Sequence, residues 1–122
     1  MFNFEKLEVW QKAIDFADLV YKETRSFPLE ERFGLTSQLR RAAVSISSNI
    51  EGSSRSSKTD FARFTEIAAG SVFEAVSQAF IAHRQSLFRE DQFQTIYTDA
   101  EQLSRMLSGL RKSLLSTLNP HP

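Results

Sequence analysis

Cysteine is absent from this 122-residue chain, and histidine, proline and glycine are scarce. Without cysteine there is no disulfide, no thiolate metal site and no thiol nucleophile. That fits a reducing compartment. The two histidines, His83 and His121, are too few and too far apart for a zinc site. No Glu stands three residues before either of them, so the Glu-x-x-His pairs of bundle di-iron centres are missing too. The four glycines stand apart at 34, 52, 70 and 109, and no Gly-rich phosphate loop can be made from them. Serine is common, yet no G-x-S-x-G elbow or S-x-x-K motif occurs. The paired carboxylates Glu30–Glu31 and Glu90–Asp91 fall at predicted helix starts, where negative charge complements the helix dipole. No apolar run approaches the ~18 residues that a membrane-spanning helix needs. No basic segment followed by an apolar stretch opens the chain, so no secretion signal is expected. These absences point to a soluble, cytoplasmic protein with no catalytic residues, no metal and no cofactor.

What the chain has instead is helical spacing. Phe93, Ile96, Ala100, Leu103, Leu107, Leu110 and Leu114 fall at steps of three and four, one stripe of a long α-helix. Similar stripes run through most of the sequence, which predicts one domain over 1–122 with helices over about 4–25, 30–52, 58–86 and 90–118. Eleven Phe give the core a heavy aromatic load. The first helix has Asn3 as a candidate N-cap, a Phe2–Leu7 staple, and an inner stripe of Phe4, Leu7, Trp10, Ile14, Ala17 and Tyr21. Pro28 interrupts it. The second helix, loosened at Gly34, carries Leu35, Leu39, Ala42, Ile46 and Ile50, beside small or polar residues at Gln38, Ala42, Ser45 and Asn49. Gly52 is placed to end it in a left-handed conformation. Ser53 to Ser57 form a short hairpin loop, and Ser57 with Asp60 makes a capping box for the third helix. Short connections between long amphipathic helices give an all-α, antiparallel, up-down-up-down four-helix bundle.

The third helix carries two apolar stripes. Phe61, Phe64, Ala68, Val72, Ala75 and Ala79 form one; Ala62, Ala69, Phe73, Val76 and Phe80 form another, turned by about 100°. One stripe suffices for a bundle core. The second is read as either deep within the bundle or against another subunit, with Phe73, Val76 and Phe80 the candidate oligomer interface.

Net charge is zero, but its sign alternates along the chain. Residues 32–63 hold six Lys/Arg and two Asp/Glu, a net of +4, while residues 64–101 hold two and six, a net of −4. The alternation serves attraction between sequential helices, or it marks a basic surface. The candidates for that surface are Arg40 and Arg41, which helical geometry turns away from the Leu39–Ile46 stripe, with Arg55, Lys58 and Arg63 around the hairpin. Together they would contact phosphates or a partner; the bland alternative is a solvated face with ordinary ion pairs. Zero net charge counts against strong nucleic-acid binding.

Leu7, Val9, Trp10 and Ala13; Phe27-Pro28, Glu31, Gly34-Leu35, Gln38 and Arg40-Arg41-Ala42; Ser45-Ile46, Ser48-Asn49-Ile50 and Glu51-Gly52; and Phe61, Ile67-Ala68, Gly70-Ser71 and Glu74 form an ordered set. In that order they resemble the four-helix bundle family of the 23S ribosomal RNA intervening-sequence proteins, related to accessory proteins of diversity-generating retroelements. The family carries one residue between the Ile and the Glu, whereas Ile50 abuts Glu51 here, turning Glu51 by about 100°. The resemblance implies a ring-shaped homopentamer without enzymatic activity, with RNA or a nucleic-acid-handling protein as partner. The expected function is therefore a non-enzymatic oligomeric bundle binding RNA or a ribonucleoprotein through its basic surface. The alternative is a protein-interaction scaffold with no nucleic-acid role.

Overall fold

The structure is a computed structural model that describes residues 1–53 and 57–118. Its four helices are α1 (Glu8–Thr24), α2 (Leu35–Ser53), α3 (Lys58–Arg84) and α4 (Glu90–Leu118), and no strand occurs among the described residues. Each helix packs on its sequence neighbours, and α1 closes the square against α4. The α3–α4 contacts fix the direction: His83 meets Glu90, Phe80 meets Phe93, and Glu66 meets Arg111. Numbers fall on one helix as they rise on the other, so the pair is antiparallel.

The core is one cluster drawn from all four helices. Phe16, Val20, Leu39, Ile46, Ile50, Val72, Ile96, Leu103 and Leu107 are almost wholly buried in it. Each such side chain contributes roughly 1.5–3 kcal/mol through the apolar surface it removes from water. Alanines at 42, 43, 68, 75, 79 and 82 are buried in the same cluster, where small side chains let helices approach closely. The α4 stripe lies where its spacing puts it, with Phe93, Ile96, Ala100, Leu103 and Leu107 buried and Leu110 and Leu114 half-buried.

The sequence expectations need five corrections. The chain does not enter α1 at residue 4. Asn3–Lys6 is a separate 3-10 turn, and Leu7 is extended (φ −77°, ψ 121°), so α1 begins at Glu8. In place of a staple, Phe2 stacks on Phe4, which meets Trp10 edge-on. The stripe facing the core is accordingly Val9, Ala13, Phe16, Val20 and Thr24, which leaves Tyr21 exposed. The second helix starts at Leu35. The backbone N–H of Leu35 donates to Glu31 Oε1 at 3.4 Å, a carboxylate from the preceding 3-10 turn Leu29–Glu31 that caps the start of α2. Gly52 does not terminate α2, which continues to Ser53, and no described glycine has a positive φ.

The start of α3 follows the capping expectation, with the Asp60 N–H donating to Ser57 Oγ at 3.2 Å. Its end is closed by a motif the sequence hides. Ser86 adopts φ 61°, and the N–H groups of Ser86 and Leu87 donate to the carbonyls of His83 and Ala82 at 3.0 and 2.8 Å. This is a Schellman closure with serine where glycine is usual.

Candidate interaction surfaces

The four described residues of the five predicted basic ones do not form one patch. Arg55 lies outside the described residues. Ser45 and Ser71 touch through their hydroxyls at 2.9 Å, which sets the α2–α3 register. Counting outward from that pair, Arg41 and Arg63 stand twelve levels apart, roughly 18 Å along the bundle axis at 1.5 Å per residue. Lys58 and Arg63 belong to the hairpin end. There the Arg63 guanidinium lies 3.7 Å from Asp60 and 5.0 Å over the Phe64 ring.

Arg40 and Arg41 part company as well. Arg40 does not face outward as expected. It is half-buried against α1, where its Nε donates to Thr24 Oγ1 at 3.0 Å and its guanidinium lies 4.5 Å over the Tyr21 ring. The Thr24 hydroxyl in turn donates to the Val20 carbonyl at 2.7 Å, so α1 holds this arginine in place. Arg41 is exposed. The two nonetheless share one open groove of about 600 Å³ on the outer side of α2, with Tyr21, Arg32, Phe33 and Val44 among its walls. Phe33 is 84% exposed, and the Arg32 guanidinium sits 4.8 Å over its ring. Among the described residues, no carboxylate lies within ion-pair distance of Arg32, Arg40 or Arg41. Glu74 lines a smaller depression beside Arg41 with Gln38 and Ser45.

The predicted interface residues lie on the far side of the bundle. Phe73 is 62% and Phe80 43% exposed, while Val76 is half-buried between them. They border a groove of about 430 Å³ between α3 and α4, whose other wall includes Tyr97, Glu101 and Ser104. Phe80 does not float free: its ring meets Phe93 at 4.8 Å and Tyr97 at 6.0 Å, both edge-on. Glu101 has no cation within ion-pair distance among the described residues.

Arg32, Phe33 and Tyr21 were not singled out from the sequence as site residues. A clue existed in the Arg-Phe-Gly run, where a large ring stands at a helix break and cannot join either helical stripe. Tyr21 was hidden by the wrong phase assigned to α1.

Among the described residues no group of three or more His, Asp and Glu could hold a metal. His83 Nε2 pairs with Glu90 Oε2 at 2.7 Å, and its ring stacks on Phe93, a structural use. His121 lies outside the described residues. No described helix is long and apolar enough to cross a membrane.

An all-α bundle of four antiparallel helices, with two unlike grooves on its outside, is thus the class of protein that fold and surface define. The chain belongs to the 23S rRNA-intervening sequence protein family, whose pattern it matches over residues 5–109. It is also similar to the crystal structure of a protein of unknown function from the S23 ribosomal protein family of Bacteroides thetaiotaomicron. The likeness covers 85% of this chain and 95% of that one, at a TM-score of 0.79 and 23% identity, and at that identity it speaks for the fold alone. No curated protein matches the chain.

Proposed function

We propose that this chain is a non-enzymatic helical bundle whose working form is a cytoplasmic ring, the homopentamer that its family resemblance implies. The observation that carries the reading is the aromatic ridge of α3. Phe73 and Phe80 stand on the outside of the bundle beside Val76, along a groove walled on its other side by Tyr97, Glu101 and Ser104. Rings of that size exposed together mark a surface that another molecule covers. Sedimentation or light scattering tests it. The wild-type particle should weigh several times the 13.9 kDa of one chain. Phe80→Glu should bring it toward one chain while the helical circular dichroism persists. A wild-type chain that stays monomeric at high concentration would end the reading.

A second reading, an RNA or ribonucleoprotein partner, is favoured by one feature. Arg32, Arg40 and Arg41 gather at a single groove without carboxylate partners, a setting suited to phosphate oxygens. Neutralising Arg32, Arg40 and Arg41 together should then lower RNA affinity and flatten its dependence on salt, with helical content kept. Unchanged affinity in that triple variant would leave the scaffold role standing by itself.

A further inference from the structure

We infer that the groove on the outer side of α2 is the seat of the α3 ridge of a second copy of this chain: Phe73 and Phe80 of one molecule dock against Phe33, Tyr21 and Val44 of the next. The inference rests on the assembly reading above and adds the surface that receives the ridge.

Topology gives the first reason. The helices run round a square in sequence order, so the side formed by α1 and α2 lies opposite the side formed by α3 and α4. Each side exposes large apolar residues: Tyr21, Phe33 and Val44 on one, Phe73 and Phe80 on the other. A two-fold contact of ridge on ridge would cover only one of these patches and leave Phe33 in water. A head-to-tail contact covers both in one step. It also repeats from copy to copy, and it closes into a ring when successive copies are rotated by a constant angle.

Charge gives the second. The receiving groove holds three guanidinium groups without carboxylate partners, and the ridge borders Glu101, a carboxylate without a cation. Placing the two grooves together brings these unlike groups near each other, whereas ridge on ridge would set Glu101 near its own copy. Chemistry gives the third. Aromatic rings and arginines are the residues enriched in the cores of protein–protein contacts. A chain of zero net charge is better suited to such a contact than to a polyanion.

The chain has no cysteine of its own, so single thiols can report the contact cleanly. Ser37 lines the receiving groove and Ser77 lines the ridge groove. With a short bismaleimide, the Ser37→Cys/Ser77→Cys double variant should give a ladder of covalent multimers on a denaturing gel. Either single variant should stay as one chain. In parallel, Phe33→Glu should lower the particle mass as fully as Phe80→Glu does, with helical content unchanged in both. If Ser77→Cys by itself yields covalent dimers, ridge meets ridge: the inference falls and the assembly reading survives. An oligomer that cross-links in none of these variants overturns it in the same way. If Phe33→Glu keeps the wild-type mass but loses RNA affinity, the groove belongs to nucleic acid. A wild-type protein that never exceeds one chain ends both readings together.

Discussion

The two seams of α3 are built from opposite materials. Toward α2, the helix presents Ala68, Ser71, Ala75 and Gln78, and the backbones close on small side chains and hydroxyls. Asn49 extends this network, donating to the Ser45 carbonyl and hydroxyl at 2.8 and 3.1 Å. Toward α4, it presents Phe80, edge-on to Phe93 and Tyr97, and His83, stacked on Phe93, at ring separations of 4.7 to 6.0 Å. Small residues interdigitate and leave no excess surface. Rings of this size cannot all fit between two helices, so some spill outward and form ridges with grooves between them. The contrast teaches that one helix both seals the core and advertises a surface, depending only on side-chain volume at successive steps of its turn.

The sharpest way to break that contrast is to remove rings from either side of the boundary. Phe93 is buried and Phe80 is 43% exposed, although the two touch. Phe93→Ala should destabilise the fold by about 3–5 kcal/mol, the range for a buried aromatic and its cavity. Phe80→Ala should cost about 1 kcal/mol, since much of its surface already faces water and the edge contacts are modest. Urea titrations dilute enough to keep the chain monomeric would measure both. Equal losses would erase the line drawn here between core ring and surface ring.

A gentler pair of changes tests the small-residue seam. Ala75 is fully buried, whereas a Cβ added at Gly70 would meet nothing within 4 Å. Ala75→Leu should therefore overpack the seam and lower stability by about 1–3 kcal/mol. Gly70→Ala, on an open face of the same helix, should raise it by about 0.5–1 kcal/mol through lost unfolded-state freedom. Thermal unfolding of the two variants should move in opposite directions. A common direction would mean that α3 does not sit at the phase described.

How far these features could be read beforehand depended on whether one interaction dominated. The α4 stripe was legible because its spacing offers a single apolar face. The α1 stripe was not, because Val9–Ala13–Phe16–Val20 and Leu7–Trp10–Ile14–Ala17 are both well spaced. The choice turns on where the helix begins, and the extended Leu7 decided it. The exposed ridge at Phe73 and Phe80 was legible as a second stripe, since no single helix neighbour could cover both stripes. The receiving groove was invisible, because it joins Tyr21, Phe33 and Arg41 from separate elements across a helix break. Arg40 looked like a surface cation because helical geometry places its Cα outward. Its long stem then carries the guanidinium back to a threonine sixteen residues earlier, a tertiary contact no local pattern records.

The α3–α4 turn sits next to the aromatic seam and yields the smallest effect. Ser86 is the only described non-glycine residue with a positive φ, at 61°, and the helix end closes around it through the Ser86 and Leu87 N–H groups. A side chain in that conformation brings Cβ close to the following carbonyl, a penalty of about 1–2 kcal/mol that glycine does not carry. Glycine loses more backbone freedom on folding, which returns part of the gain. Ser86→Gly should therefore stabilise the chain by about 0.5–1 kcal/mol, visible as a rise of a few degrees in Tm. Because the turn fixes the register of His83 on Glu90 and Phe80 on Phe93, the aromatic seam should keep its order and the particle its mass. A loss of stability on this substitution would mean that the serine is held by something other than the left-handed closure, and the geometry of the seam would have to be redrawn from that end.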